Sequence, residues 1–234
     1  MLSIVIPTLN EEKFLSRLLD SIKRQSFTDY EVIVSDGNSI DNTKKIALEN
    51  NCKFILDTEH HSPSWQRNNG AAVAQGDILL FLDADSVLRE GFLEKVITEF
   101  IARDLCGAGF YFDFNPNKFS YRIFSCLDNF FCFLRQYFSP ASVGAGIMAK
   151  KKEHDFIKGF NSEILLAEDF DYCSRLSERG KFRMIKSCRL LYSSRRIEKE
   201  GWFRVAYKWG WMAIAAILNR KIKKMKIKYE FGKF

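Results

Sequence analysis

The N-terminal third of the sequence alternates short, β-branched apolar runs with stretches of helical periodicity, and this pattern limits the possible folds strongly. Strands are predicted at residues 2–6, 31–35, 53–56 and 78–82. Helices are predicted at residues 14–22, 41–50 and 64–75, with Asp41 as an N-cap and Gly76 as a C′ residue. Strands and helices in this order form right-handed crossovers between parallel strands. We therefore predict an α/β, Rossmann-like fold with a mainly parallel, mixed sheet and helices on both faces.

Polar side chains follow three of the predicted strands, at the point where each strand ends. They are Thr8, Asn10 and Glu11 after the first strand, Asp36 after the second, and Asp83 and Asp85 after the fourth. Ligands bind to sheets of this kind beyond the carboxyl ends of the strands. The sequence therefore predicts a binding site at this edge.

The pair Asp83 and Asp85 has three interpretations. On an extended backbone both side chains would point to the same side, where two hard oxygen ligands could meet Mg²⁺ or Mn²⁺. The pair could equally be an ordinary polar strand end. The run Asp83-Ala84-Asp85-Ser86-Val87 also fits the D-x-D-x-[TV] motif of haloacid dehalogenase-like phosphatases, with Asp83 as the nucleophile. That family usually carries the motif on its first strand, whereas here it follows the fourth.

The second half of the chain is less regular. Strands are predicted at residues 107–114 and 146–149, an aromatic-rich helix at 118–138, and a helix at 168–179 that Gly180 ends. The sequence has no internal repeat, low-complexity tract or linker. We therefore expect one domain over residues 1–234.

The composition limits the classes of binding partner and the cellular compartment that we expect for this chain. The formal net charge of +7 favours an anionic partner, such as a phosphate-bearing small molecule, nucleic acid or acidic lipid. The six cysteines include no C-x-x-C pair and no secretory signal precedes them, so we expect reduced thiols in a cytoplasmic protein. No run reaches the roughly 20 apolar residues needed to cross a bilayer.

Several motifs in order resemble glycosyltransferase family 2, whose enzymes use the GT-A fold. "PTLNEE" follows the first strand, "VSDGNSIDNT" ends the second, and "FLDADS" ends the fourth. "LLAEDFDYCSRLSERGK" resembles the E-D motif of the family, and "SSRRIEKEGWFRVAYKWGW" resembles its arginine pair followed by an aromatic helix. The resemblance covers nearly the whole chain. It implies a nucleotide-binding half at residues 3–87, an acceptor-side half at 88–200 and an aromatic, basic C-terminal segment at 201–234.

The resemblance implies a set of donor-binding residues. Pro7, Thr8 and Glu11 would line the nucleoside pocket, and Asp36 would accept a hydrogen bond from the base. Asp85 would be the chief ligand of Mg²⁺ or Mn²⁺, with Asp83 near the ribose or the same ion. The remaining predicted donor contacts are to phosphates, from Arg67, Arg195 and Arg196. Solvated positions are the alternative for all three arginines.

The resemblance also implies the reaction. Asp169 would remove the proton of an acceptor hydroxyl, with Glu168 beside it, and Gly144 and Gly146 would let the backbone approach the acceptor. The alternative for Asp169 is an acidic residue that merely favours a helix N-terminus. The predicted enzyme is a metal-dependent, inverting glycosyltransferase that uses a nucleoside diphosphate sugar, with UDP favoured over GDP. Glycolipid or cell-surface polysaccharide synthesis would suit it.

Aromatic residues in 118–138 and an aromatic, basic segment from Trp202 to Lys228 suit the surface of an anionic membrane. Coverage of the sheet by these helices, with a solvated basic tail, is the alternative. Membrane contact would make a lipid-linked acceptor plausible and would place the chain on the cytoplasmic face. A non-catalytic sugar-nucleotide-binding protein is a further alternative. Nucleic-acid binding is not expected, because only the charge supports it and no recognisable reading module is present.

Overall fold

The structure is a computed structural model, and it describes residues 1–114, 118–142, 146–164, 167–201, 203–205 and 207. One eight-stranded sheet forms the centre. Its strands are β1 (Leu2–Thr8), β2 (Tyr30–Asp36), β3 (Lys53–Leu56), β4 (Ile78–Leu82), β5 (Ser86–Val87), β6 (Gly107–Asp113), β7 (Gly146–Lys150) and β8 (Phe182–Tyr192). Their spatial order is β3-β2-β1-β4-β7-β6-β8-β5.

Helices lie on both faces of the sheet. They are α1 (Glu12–Lys23), α2 (Thr43–Glu49), α3 (Pro63–Ala72), α4 (Phe92–Ala102), α5 (Phe119–Arg135), α6 (Lys151–Phe156), α7 (Glu168–Ser177) and α8 (Arg195–Glu200). One buried cluster contains apolar residues of α1 and α4, such as Leu15 and Phe92. A second cluster, which contains Ala71 of α3 and Tyr172 of α7, covers the opposite face. The predicted α/β architecture is therefore confirmed.

Parallel pairing joins the first four strands, and it also joins β6 to β8 in the second half of the chain. β1 pairs in parallel with β2 and β4, and β2 pairs in parallel with β3. β7 then runs antiparallel to both β4 and β6. The parallel strands place the ends of β1, β2 and β4 at the same edge, because Thr8 lies beside Asp36 in the register. That edge carries the candidate site.

Three local predictions need correction. The helix predicted to reach residue 75 ends at Ala72, so Gly76 is not its C′ residue. Gly76 instead lies against β1, where a Cβ atom would come within 2.7 Å of the Met1 carbonyl oxygen. Asn42, not Asp41, is the N-cap of α2. The Asp41 carboxylate accepts from two backbone N–H groups, that of Thr43 at 2.9 Å and that of Glu12 at 3.0 Å.

Helix α5 is attached to β6 through Asn129. β6 pairs with β7 at Gly107, Ala108 and Gly109. Further along β6, Asn129 bonds to the backbone of Phe112: its Oδ1 accepts from Phe112 N–H at 3.0 Å and its Nδ2 donates to the Phe112 carbonyl at 2.8 Å. Within the ranges described, no helix is long and apolar enough to cross a membrane.

Candidate active site

The ends of β1 and β2 are joined by side chains that the sequence singled out. Thr8 Oγ1 donates to Asp36 Oδ2 at 2.8 Å. Ser39 donates to the same carboxylate twice, through its N–H at 2.7 Å and its hydroxyl at 2.6 Å. Thr8 and Asp36 are each 1% exposed, and Pro7 is buried beside them in β1. Asp36 is thus fixed in one orientation at the edge of the sheet.

The backbone between Asp83 and Asp85 is a turn, which corrects the extended conformation expected from sequence. The N–H of Ser86 donates to the Asp83 carbonyl at 3.0 Å and closes the turn. The two carboxylates consequently bind different cations. Asp83 Oδ1 accepts from Arg67 at 2.9 Å, and Asp85 Oδ2 accepts from Arg195 at 2.8 Å.

Arg195 connects the C-terminal part of the chain to the N-terminal part. Its two terminal nitrogens donate to the two carboxylate oxygens of Glu11 at 2.7 and 2.9 Å, and its Nε meets Asp85. The ring of Phe14 lies 4.7 Å from the guanidinium carbon. One arginine therefore binds two carboxylates, of which one was expected to line the nucleoside pocket and the other to bind a metal ion. Such forked geometry is specific to arginine.

The carboxyl of Asp85 has an electrostatic environment that fits a cation. Burial raises its pKa to about 7, Arg195 opposes the rise, and the charges of Asp83 and Glu11 add to it. Burial also raises the pKa of Glu11, although Arg195 offsets part of the effect. Asp85 Oδ1 is buried and is among the side-chain atoms, in the part of the chain described, that have no hydrogen-bond partner. A buried carboxylate oxygen without a donor suits a divalent ion.

The protein supplies few ligands for such an ion. No group of three or more His, Cys, Asp or Glu side chains is arranged to hold a metal, as far as the described ranges extend. Mg²⁺ typically needs only one or two protein carboxylates, because substrate phosphates and waters complete its coordination. Asp85 and Asp83 fit that requirement.

Arg67 lies beneath the site and not on its surface. It is 2% exposed, and its terminal nitrogens donate to Asp83 at 2.9 Å and to Glu168 at 3.0 Å. The ring of Phe160 lies 5.2 Å from its guanidinium carbon. Burial works to lower the pKa of Arg67, but the carboxylates of Asp83 and Glu168 outweigh it and raise the value. Both carboxylates are thus held by one cation, and a phosphate contact would require Arg67 to leave them.

Asp169 lies in the first turn of α7 and is 7% exposed. Burial raises the pKa of its carboxyl to about 8; the charge of Glu168 adds to the rise and that of Arg67 opposes it. Ala167, just before the helix, has a φ of 62°, a conformation that is uncommon for a residue other than glycine. The helix therefore begins abruptly and presents two adjacent carboxylates toward Arg67.

The remaining predicted site residues are less central. Arg196 is half-buried in α8, and its charge lowers the pKa of Asp85. Gly146 is buried in β7, where a Cβ would come within 2.8 Å of the Phe110 ring. Its missing side chain therefore also serves packing. Gly144 lies outside the described residues.

A match to a family model shows which known proteins the chain is related to. The model is described as Glycosyl transferase family 2 and matches residues 3–151, which is more than half of the chain. The chain belongs to glycosyl transferase family 2. The matched range contains β1 to β4 and both aspartates of the 83–85 turn.

Family 2 relatives match this chain over different lengths. It is 35% identical over 102 residues to the GalNAc(5)-diNAcBac-PP-undecaprenol β-1,3-glucosyltransferase of Campylobacter jejuni, a match that covers 41% of this chain and 33% of that protein. It is 27% identical over 207 residues to an uncharacterized glycosyltransferase of Haemophilus influenzae, a match that covers 80% of this chain and 65% of the relative. The chain therefore spans less than two thirds of the length of either relative.

Solved glycosyltransferase structures share the architecture. The mannosyltransferase PcManGT from Pyrobaculum calidifontis, solved with GDP-Man and Mn²⁺, has a TM-score of 0.68 at 18% identity, over 82% of this chain and 56% of that one. TarS of S. aureus has a TM-score of 0.65 at 18% identity, over 82% of this chain and 36% of that one. At a sequence identity of 18%, structural similarity shows that the fold is shared, so the predicted GT-A fold is confirmed. These comparisons do not support the dehalogenase-type alternative.

One feature of this family 2 site was missed by sequence reasoning. Asp85, Tyr192 and Ser194 line a pocket of about 310 Å³ together with Phe14 and Phe114. Tyr192 ends β8, which was not predicted, and burial followed by the nearby charge of Asp85 raises the pKa of its hydroxyl. Its position three residues before the arginine pair was the available signal.

Proposed function

We propose that this chain is a metal-dependent glycosyltransferase that moves a sugar from a nucleoside diphosphate sugar to an acceptor hydroxyl, with inversion at the anomeric carbon. One observation carries the proposal. Glu11, Asp85 and Arg195 form a single charged cluster at the carboxyl edge of the sheet, beside the carboxylate of Asp36 at the end of β2. A nucleotide with a diphosphate and a cation offers partners of the right charge for each of these groups.

UDP is the proposed nucleotide. TarS has been solved with UDP-GlcNAc, and PcManGT with GDP-Man and Mn²⁺, so both nucleotides occur among proteins of similar fold. Asp36, fixed by Thr8 and Ser39, would accept an N–H from the base, and Glu11 would accept from ribose hydroxyls. Pro7 would pack beside the nucleoside.

Asp85, with Asp83 beside it, would hold Mg²⁺ or Mn²⁺. The ion, when bound, would neutralise negative charge on the diphosphate. The buried Oδ1 of Asp85 and its raised pKa support this assignment, because a cation would compensate a carboxylate that burial otherwise disfavours.

Arg195 must exchange its partners when the donor binds. In the structure it holds Glu11 and Asp85, the two carboxylates proposed to bind the ribose and the metal ion. Transfer of its guanidinium from these carboxylates to the diphosphate would release both for the donor. Arg195 and Arg196 would then stabilise the departing diphosphate, as forked donors do well.

Asp169 would act as the general base. Its carboxylate accepts the proton of the acceptor hydroxyl while the hydroxyl oxygen forms a bond to the anomeric carbon. The bond from that carbon to the diphosphate breaks on the opposite side, so the configuration inverts. A base is most effective when its pKa lies near the working pH, and the value of about 8 for Asp169 meets that condition. Glu168 would sit on the acceptor side of the same helix.

A lipid-linked acceptor is the proposed substrate class. The Campylobacter jejuni relative is named for a glycan on undecaprenol diphosphate. A chain that acts on such an acceptor would work at the cytoplasmic face of a membrane.

A donor screen tests the proposed function. Thermal shift and slow donor hydrolysis would be measured with several UDP- and GDP-sugars, with and without Mn²⁺ or Mg²⁺. We expect a UDP-sugar to raise the melting temperature only when metal is present, and to be hydrolysed slowly. Binding without metal dependence, or to no sugar nucleotide, would overturn the proposal. Binding without hydrolysis or transfer would instead favour a non-catalytic sugar-nucleotide-binding protein.

A further inference from the structure

Helix α5 has an outer face that is almost entirely apolar. Five side chains at spacings of three or four residues form a continuous row along it: Phe119 (76% exposed), Ile123 (45%), Leu127 (64%), Phe130 (58%) and Leu134 (43%). Phe133, Tyr137 and Phe138 are exposed beside or just beyond its C-terminal end. Scattered exposed apolar residues are ordinary, but a contiguous row of this kind marks an interaction surface. We refer to the row from Phe119 to Leu134 as the α5 face.

The exposed charged residues of the segment 118–135 are positive. Lys118 and Arg122 are exposed at its N-terminal end. Asp128 is the one acidic residue in the sequence of α5; it is partly buried and accepts from Cys132 Sγ at 3.7 Å. A helix with exposed aromatic and aliphatic side chains on one face and cations at its edge is typical of a segment that lies in the headgroup region of an anionic bilayer.

Both ends of α5 contact elements that carry candidate site residues. Lys118 Nζ lies 3.7 Å from Glu198 Oε1 of α8, the helix that carries Arg195. At the other end, the Arg135 guanidinium carbon lies 5.7 Å from the ring of Phe170, the residue after Asp169. Asn129 holds the middle of the helix to the backbone of β6. A surface bound by α5 would therefore lie next to both the leaving-group arginine and the proposed base.

We propose that the α5 face docks on an anionic phospholipid bilayer and inserts its aromatic and aliphatic side chains into the headgroup–acyl boundary. This proposal deepens the proposed function. Its biological role rests on that function, because docking there would bring Asp169 to an acceptor held in the membrane. A second copy of the chain is a poorer occupant, since a symmetric pairing would place the same cations, Lys118 and Arg122, at one interface.

Vesicle co-sedimentation of the full chain tests the docking surface. The variant Leu127→Glu/Phe130→Glu places two charges in the middle of the α5 face. The matched control Leu48→Glu/Ile101→Glu changes two exposed helical side chains elsewhere, which are 53% and 62% exposed. Both pairs add the same charge, so general repulsion from the vesicle is equal. Vesicles of phosphatidylcholine with phosphatidylglycerol would be used at low and high salt, because high salt screens the basic C-terminal residues.

We expect the wild type and the control to bind, and the α5 variant to lose at least about tenfold in partition coefficient, with part of the wild-type binding surviving high salt. Equal binding of both variants, no binding by the wild type, or complete loss at high salt would overturn the proposal. Sedimentation velocity without vesicles would also overturn it if the wild type were a dimer and the α5 variant a monomer. Hydrolysis of the UDP-sugar, measured in parallel, reports the proposed function separately: vesicle binding without sugar-nucleotide binding would leave the docking surface standing and the proposed function refuted.

Discussion

Arg195 Nε donates to Asp85 Oδ2 at 2.8 Å, while the terminal nitrogens of the same guanidinium hold both oxygens of Glu11. The contact joins α8 to the loop before α1, across 184 residues of sequence. It places a protein cation on the carboxylate that is proposed to bind a metal ion. Arginine and metal therefore compete for one oxygen of Asp85.

Removal of this arginine should strengthen metal binding in the absence of nucleotide. In Arg195→Ala both oxygens of Asp85 would be open to the ion, and we expect the Kd for Mn²⁺ to fall by about tenfold, or about 1.4 kcal/mol. Transfer should nevertheless slow, because the departing diphosphate would lose a donor. Calorimetric titration with Mn²⁺ measures the first effect and steady-state kinetics the second. The control is Arg89→Ala, which removes an arginine that pairs with Asp113 instead; equal Mn²⁺ affinity in Arg195→Ala and wild type would refute the competition.

The role of Asp169 predicts a pH dependence. Because its pKa is raised to about 8, the carboxyl is mostly protonated at lower pH in the free protein, and kcat/KM should rise with pH until about 8. Asp169→Asn should spare sugar-nucleotide binding and lower transfer by at least about 100-fold. Glu168→Gln removes a charge that raises the pKa of Asp169, so the rising limb should move to lower pH. A limb that stays in place, or moves to higher pH, would mean that Asp169 is not the group that titrates.

Arg67 is predicted to be structural as well as electrostatic. Arg67→Met would leave Asp83 and Glu168 without their shared cation, and we expect the free energy of unfolding to fall by about 3 kcal/mol or more. Arg67→Lys should recover only part of the loss, because an ammonium lacks the fork that reaches both carboxylates. Urea denaturation measures both. Lys45→Met, at a position 70% exposed, is the control and should change stability by less than about 0.5 kcal/mol; a similar small change for Arg67→Met would contradict the prediction.

His154 should make the protein sensitive to acid. It is 3% exposed, its Nδ1 lies 2.8 Å from the Tyr172 hydroxyl, and burial lowers its pKa from 6.5 to about 4. As pH falls from 6.5 toward 4, the unfolded chain binds a proton that the folded protein excludes. Stability is therefore full above pH 6.5 and lost below it, by up to about 3 kcal/mol for this group.

The variant His154→Gln isolates that contribution. It keeps a polar group near Tyr172 but cannot titrate, so its unfolding free energy should fall less than that of the wild type between neutral and mildly acidic pH. Asp85 and Asp169, whose raised pKa values act in the opposite direction, are common to both proteins and cancel in the difference. Parallel pH profiles for the two proteins would contradict a buried neutral His154.

The first four strands were predictable because each carries a short apolar run. β1 and β4 are almost entirely buried, whereas β3 is only partly buried. β3 and β4 lie at the predicted residues, and β1 and β2 extend one or two residues beyond them. β8 was not predicted. Charged residues such as Lys186 and Arg189 interrupt its apolar pattern, and a register shift in its pairing follows Phe110 of β6. The apolar residues of α4 have helical spacing, but this helix was not predicted from the sequence.

The candidate site was predictable as a set of residues but not as a set of contacts. The motifs named Glu11, Asp85, Arg67 and Arg195, and the structure places these side chains in contacts at or beneath one edge of the sheet. A local pattern could not show which arginine binds which carboxylate, because the partners lie 16 to 184 residues apart. The turn at Asp83 was missed for a related reason: the arginines that bind the two carboxylates come from α3 and α8.

The most direct test of the account is calorimetric titration of UDP into the wild type and into Asp85→Asn, each with Mn²⁺ and with EDTA. We predict that the wild type binds UDP at least about tenfold more tightly with Mn²⁺, a difference of about 1.4 kcal/mol, and that Asp85→Asn abolishes this difference. UDP binding that is equally tight in EDTA, or a metal effect that survives in Asp85→Asn, would contradict the assignment of the metal and diphosphate to this edge of the sheet.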